Sequence, residues 1–441
     1  MSLFPALSAN MLQMVGVGPF LTIPLILSTM HGPQALVGWV LGALLAVCDG
    51  LVWAELGAAM PGTGGSYEYL QQGFGPHSLG RLMGFLFLWQ VMLSAPLTAA
   101  SGAVGFADYA RYLYPALTGF KQTLLAVAVC AASTWILYRD IRSIGKISTV
   151  FWIGLMATIG IIIWGGATHF QPGLAFAFPV GAFHLTSSFF AGLGAATLIS
   201  MYDYSGYFTV CLIGGEIKQP ARTIPRAILL SIAILAVLYM AMSLSIIGVV
   251  PWKEAAQSGA IVSDFMERLY GARAAAFMTA LILWVAFASV FCVLLGYTRV
   301  PFAAASEGRF FRAFARVHKT KHFPTFSVVF MGVLSALACL LTLEQLIKEL
   351  IIVQILTQFA AQCVAVVLIR RLRKDIVRPF SMPLYPLPAV FALLGWLYIL
   401  ATSEIIYVLA GLLLLGFGVV SYLWRARSLR EWPWEKRLAT S

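Results

Sequence analysis

The chain has 441 residues, 60% hydrophobic against 10% charged, and a mean hydropathy of +0.88, where a soluble domain runs at about 45–50% apolar and about 25% charged. A soluble enzyme is excluded, because aqueous domains bury only about three quarters of their surface and the apolar excess must then face lipid. The net charge of +12 does not point to nucleic acid, since the cations lie in loops without aromatic RNA-binding motifs.

A bilayer core of about 30 Å takes about 20 mostly apolar residues as a helix. Twelve such runs lie near 10–29, 34–59, 80–108, 120–138, 147–168, 186–214, 226–250, 273–300, 324–342, 346–369, 385–402 and 404–424. Their apolar residues fall on every face, without the alternation of a transmembrane strand. The expected fold class is therefore all-α integral membrane, with twelve transmembrane helices. With the N-terminus inside, 23 of the 29 Lys and Arg fall on the cytoplasmic side. The lysine and arginine bias then sets both termini in the cytoplasm. No cleavable leader is expected, because residues 1–9 have no basic region and run directly into the first span.

In chain order, the first span is interrupted by Gly16-Val17-Gly18-Pro19, followed by Phe20. Pro19 lacks an amide donor and clashes with the preceding turn, so the helix is expected to part there. The second span carries Asp49 and Glu55, about 9 Å apart along the axis at 1.5 Å per residue. Asp49 reads either as part of a proton relay or as a satisfied interior acid. Glu55, near the cytoplasmic end, reads as a structural ion pair with Arg299 or Arg226. The third span has an isolated Gln90, the fifth (147–168) has no lysine, and the eighth has Ser289. In the sixth span Tyr202-Asp203-Tyr204-Ser205-Gly206-Tyr207 interrupts an apolar run. Asp203 at that depth costs about 2.5–3.5 kcal/mol on insertion scales. Two readings stand: a counter-charge for an ammonium or proton, or a protonated acid capping the interrupted helix. Glu216 after this span reads as a gate or loop anchor. Gln354, Gln358 and Gln362 in the tenth span share one helical face, either as packing or as cavity lining. The six cysteines all fall inside spans without a CxxC pair and read as small core residues.

Interrupted helices at corresponding places in two halves are the sequence pointer to an inverted-repeat transporter. The run Trp53-Ala54-Glu55-Leu56-Gly57-Ala58-Ala59-Met60-Pro61-Gly62-Thr63-Gly64-Gly65-Ser66-Tyr67-Glu68-Tyr69-Leu70 resembles the second-to-third helix signature of the amino acid-polyamine-organocation superfamily. Gly215-Glu216-Ile217-Lys218-Gln219-Pro220, Arg299-Val300-Pro301-Phe302 and Arg378-Pro379-Phe380 follow in that superfamily's order. The resemblance implies the fold named for the bacterial leucine transporter. Residues 1–168 and 186–370 would form a five-plus-five inverted repeat, with two accessory helices and a basic tail in 371–441. Relatives usually have a small or branched residue at Pro19, so this chain lacks one amide there. Many also place their acid after an aromatic residue, where this chain has Phe208.

A zwitterion's carboxylate suits free amides at a new helix N-terminus, and its ammonium suits carbonyls at a C-terminus. Val17 to Phe20 and Tyr202 to Tyr207 would supply these groups, and the tyrosines could cover an ammonium. The expected function is a secondary carrier of amino acids or related organic amines, working by alternating access in a plasma membrane of the bacterial inner-membrane type. Polyamine uptake and uncoupled exchange are the alternatives. No cofactor or metal is expected, and coupling to H⁺ or Na⁺ stays open. No motif of an integral-membrane enzyme occurs, because the six histidines sit in loops or at span ends without a nucleophile beside them.

Overall fold

The structure, a computed structural model, describes residues 1–62, 64–139, 144–318 and 324–434, without the side chains of 139 and 144–152. Thr63 of the signature, the cations Arg139, Arg142, Lys146, Lys319, Lys321, Lys436 and Arg437, and His322 therefore lie outside the described residues or side chains.

Apolar composition on every face leaves the backbone no water to bond with, and the chain answers with helices. The first half holds α1 (Leu3–Met14), α2 (Gly18–Met30), α3 (Val37–Ala59), α4 (Ser66–Gly73), α5 (Leu79–Leu113), α6 (Phe120–Arg139), α7 (Ile144–Thr168) and the short α8 (Pro172–Ala175). The second holds α9 (Ser187–Tyr204), α10 (Thr209–Leu212), α11 (Pro220–Ile247), α12 (Trp252–Ala255), α13 (Ile261–Tyr270), α14 (Ala272–Tyr297) and α15 (Arg299–Ser306). It continues with α16 (Thr325–Ala338), α17 (Leu343–Gln354), α18 (Ala360–Leu372), α19 (Leu387–Thr402) and α20 (Ile405–Leu429). Among the described residues, seven helices are long and apolar enough to cross a membrane, and α1 with α2 forms one further bent pair. No strand is present among the described residues.

Local chemistry sets several ends. Thr186 caps α9 by accepting the Phe189 amide at 3.2 Å. Thr342 and Gln345 close a reciprocal capping box at the start of α17, at 3.3 and 2.9 Å. The tenth run is not one even helix: α17 passes into α18 through a π turn over Ile355–Phe359. Such widened turns are frequent at functional sites.

Two apolar cores organise the bundle. One gathers α1, α2, α3, α9, α11 and α19, and the other gathers α5, α6, α16 and the later part of α14. Tyr202 packs against both. The outer surface of α20 exposes Leu409, Leu413, Phe417 and Val420, an apolar stripe suited to lipid. The polar site lies where the two cores meet.

Candidate functional site

Two helix interruptions make the site. α1 ends at Met14, α2 starts at Gly18, and the pair is bent by 49°. Val15 donates its amide to Met11, whereas the amides of Gly16, Val17 and Gly18 donate to no backbone carbonyl among the described residues. They are the unpaired donors at the positive end of α2. Pro19 occupies the first turn of α2, where an amide would have no helical partner. This corrects the expectation that Pro19 splits a helix: it begins one, and the unwound residues are those just before it. Pro19 and Phe20 are buried but do not line the cavity, and the Phe20 carbonyl accepts the Tyr109 hydroxyl at 2.8 Å.

The second interruption falls later than expected. Tyr202, Asp203 and Tyr204 form the last turn of α9, Ser205 is extended, and Gly206 has φ of 120° before α10 resumes at Thr209. Aromatic residues and Asp do not end a helix here; Gly206, in a region L-residues avoid, does. A Cβ at Gly206 would stand 3.0 Å from the Gln13 carbonyl carbon and the Met14 nitrogen, so the two breaks touch main chain to main chain. Buried Asn10 ties them further. Its amide group donates to the Tyr207 carbonyl at 2.6 Å and accepts the Val210 amide at 2.8 Å.

Between the breaks lies a cavity of about 40 Å³, lined by Gly16, Val17, Gly18, Tyr202, Asp203, Ser205, Gly206, Gln13, Thr98, Ser289, Tyr297 and Gln354 among others. A water needs about 10–15 Å³, so there is room for a few waters or a small polar head group. Asp203 is its one acidic lining residue. Its Oδ2 accepts the Thr22 hydroxyl at 2.5 Å, and its buried Oδ1 has no hydrogen-bond partner among the described residues. That free oxygen sits beside Gly18, where a Cβ would approach it to 2.1 Å. Asp203 therefore bonds a side chain of α2 and does not cap its own helix. Tyr202 donates to Ser101, at 2.7 Å, because the Ser101 hydroxyl is itself donated to the Thr98 carbonyl at 2.7 Å.

Tyr204 and Tyr207 point elsewhere. Tyr204 donates to the Trp39 carbonyl at 3.4 Å. Tyr207 donates to Asp49 Oδ2 at 2.5 Å, and Asp49 Oδ1 accepts from Trp396 at 3.1 Å and from the Cys363 thiol at 3.7 Å. Asp49 is thus a satisfied buried acid joining α3, the second break, α18 and α19. Tyr239 on α11 sends one hydroxyl to two helix ends, the Met14 carbonyl at 3.1 Å and the Asp203 carbonyl at 3.3 Å.

Gln354 reaches the cavity, whereas Gln90 and Gln358 line a smaller chamber next to it. Gln362 accepts the Ser66 hydroxyl at 2.6 Å. Two vestibules flank these spaces on the end carrying Arg299 and Arg309. One of about 220 Å³ shares Gln13, Gly16 and Ser289 with the cavity and runs to Arg299. The other, about 310 Å³, is bordered by Tyr67, Glu68, Glu307 and Arg309.

Contrary to the expectation from the sequence, Glu55 pairs with neither Arg299 nor Arg226. It is gripped bidentately by Arg370, at 2.6 and 2.5 Å, and accepts the Met382 amide at 2.8 Å. Arg370 in turn stacks on Tyr385, 3.7 Å from the ring centre. Arg226 and Arg299 are exposed, and exposed Glu216 uses its carbonyl to hold the amino group of residue 1. Sequence reasoning passed over Asn10, Thr22, Ser101, Tyr239 and Arg370. A carboxamide alone in an apolar run was the one available signal, at Asn10.

A helical bundle built around a small polar cavity at two opposed helix breaks defines the class, a multi-pass membrane protein with a buried polar site. The profile of the amino acid permease family matches residues 2–422. The serine/threonine exchanger SteT of Bacillus subtilis is 26% identical, over 89% of this chain and 88% of its own. The branched-chain amino acid permease BcaP of the same organism is 26% identical over 97% and 94%. The human large neutral amino acids transporter small subunit 2 is 28% identical over 84% and 69%. The chain belongs to the amino acid permease family.

Proposed function

We propose that this protein is a secondary carrier that moves amino acids or related organic amines across the plasma membrane by alternating access. The observation that carries the reading is the pairing, in one cavity, of unbonded amides at Gly16 to Gly18 with the partnerless Asp203 oxygen. The amides and the positive end of α2 attract a carboxylate, and Asp203 attracts an ammonium. Twelve spans, with 1–168 and 186–370 as inverted repeats, 371–441 as accessory helices and tail, and both termini cytoplasmic, complete the reading. The lysine and arginine bias supports that orientation. Both vestibules then open toward the cytoplasm, so the described conformation faces inward.

The relatives' names span hydroxyl, branched and large neutral amino acids, which supports an amino acid over a polyamine. Uptake into proteoliposomes of a panel of labelled amino acids and amines tests the reading. Saturable uptake of at least one of them is expected, and uptake of none overturns it. Proton and sodium gradients, and solute preloaded inside, separate ion coupling from exchange.

A further inference from the structure

The fourth and ninth apolar runs meet along a seam that carries two thiols. α6 and α16 pack with Cys130 Sγ and Cys339 Sγ 3.6 Å apart, although 209 residues separate them in the chain. Both side chains are buried, Cys130 at 0% and Cys339 at 3% exposure. The seam stays tight further along, since a Cβ at Gly332 would stand 2.3 Å from Thr134 Oγ1. Thr134 shares a face of α6 with Cys130, and Gly332 shares a face of α16 with Cys339. The two contacts therefore lie along one line between antiparallel helices.

Two thiols in contact can do what other small core residues cannot. A disulfide needs the sulfurs to close by about 1.5 Å, within reach of side-chain rotation on helices that already touch. Their burial shuts out a bulky disulfide or a folded thiol oxidant and admits a small neutral one, a hydroperoxide. Cys339, at the C-terminal end of α16 beside the exposed Leu340, is the more open of the two. Its sulfur attacks hydrogen peroxide, the O–O bond breaks, and a sulfenic acid forms as water leaves. The Cys130 sulfur then displaces the hydroxyl, so that the S–O bond breaks, the S–S bond forms and a second water leaves. The two thiols give up two electrons and two protons in total, and one peroxide becomes two waters. Contact between the sulfurs makes the second step intramolecular.

We propose that Cys130 and Cys339 are a peroxide-oxidisable pair whose disulfide staples α6 to α16 and stabilises the core around α5. Both cysteines belong to that core, whereas the two helix breaks belong to the other. The bond ties one core internally and does not cross the cavity between the two. Closing a loop of this length restricts the unfolded chain strongly, so the oxidised form is the more heat-stable. This holds whatever solute the protein carries.

The test treats the full-length protein in detergent with hydrogen peroxide, unfolds it in excess N-ethylmaleimide, and maps the peptides by mass. Wild type is expected to lose two of its six alkylatable thiols, to give one linked peptide pair containing Cys130 and Cys339, and to regain both thiols with dithiothreitol. Its melting temperature is expected to rise by about 2–6 °C on oxidation. Cys130→Ser and Cys339→Ser are expected to show no such rise, and in Cys130→Ser the sulfenic acid at Cys339 is expected to be trapped by dimedone. The mapping uses wild type alone, so a poorly folding variant does not decide it. Alkylation of both Cys130 and Cys339 after peroxide overturns the proposal, as does linkage of either to another cysteine or sulfinic acid at either without linkage. A Cys130–Cys339 link with no rise in melting temperature overturns the staple.

Discussion

Asp203 has one oxygen bonded to Thr22 and one with no partner, the arrangement of a carboxylate positioned by its neighbour and open to a ligand. Asp203→Asn removes the charge while keeping the shape. Charge-assisted bonds contribute about 1.5–3 kcal/mol, so amine binding is expected to weaken by about 10–100-fold, read as the concentration for half-maximal uptake, with folding intact. Asp49 behaves differently although it is equally buried. Every group that reaches it is a donor, so Asp49→Leu strands Tyr207 and Trp396 together. With about 1–3 kcal/mol for each orphaned group, the melting temperature of the detergent-solubilised protein is expected to fall by several degrees. An unchanged melting point would show that those donors find other partners. From sequence the two acids looked alike, because the distinction lies in partners from distant helices.

At the scale of the elements, the breaks depend on glycine for space as much as for conformation. A methyl at Gly18 meets Asp203 Oδ1 at 2.1 Å and Tyr202 Cε1 at 3.0 Å. Gly18→Ala is therefore expected to displace Asp203 and abolish solute uptake, whereas uptake at the wild-type level would place the solute elsewhere. Gly206→Ala combines a φ of 120° with main-chain contact on Gln13 and Met14, and it is expected to reduce the yield of folded protein. The existence of both breaks was legible, since Gly16 to Pro19 and Ser205-Gly206 stand out in apolar runs. Their exact register was not. Proline is tolerated in a helix's first turn, and Tyr202 to Tyr204 stay helical until a positive φ is needed. The π turn at Ile355–Phe359 leaves no mark in composition, although it redirects Gln354 and Gln358 away from Gln362.

For the whole molecule, the Glu55 and Arg370 pair joins α3 to α18 across 315 residues of sequence. Glu55 is nearly inaccessible, so Arg370→Leu leaves a buried charge alone and is expected to cost about 3–5 kcal/mol. Replacing both by leucine is expected to recover much of that loss in a thermal unfolding assay. The apolar runs and basic loops were readable because lipid and membrane topology act on local composition; this pairing was not, because nothing near Glu55 in sequence names Arg370. A cysteine in place of Ser289, with Cys292 changed to Ala, is expected to react with an impermeant thiol reagent from the side of Arg299 and to be shielded by solute. Labelling from the opposite face alone would reverse the proposed orientation. The single Tyr239 hydroxyl proton, split between the Met14 and Asp203 carbonyls, makes the joint between the halves degenerate. Were α1 to slide away from α9, the forked bond would become an ordinary one and this donor would keep a partner, while the Asn10 bonds to Tyr207 and Val210 would resist the movement.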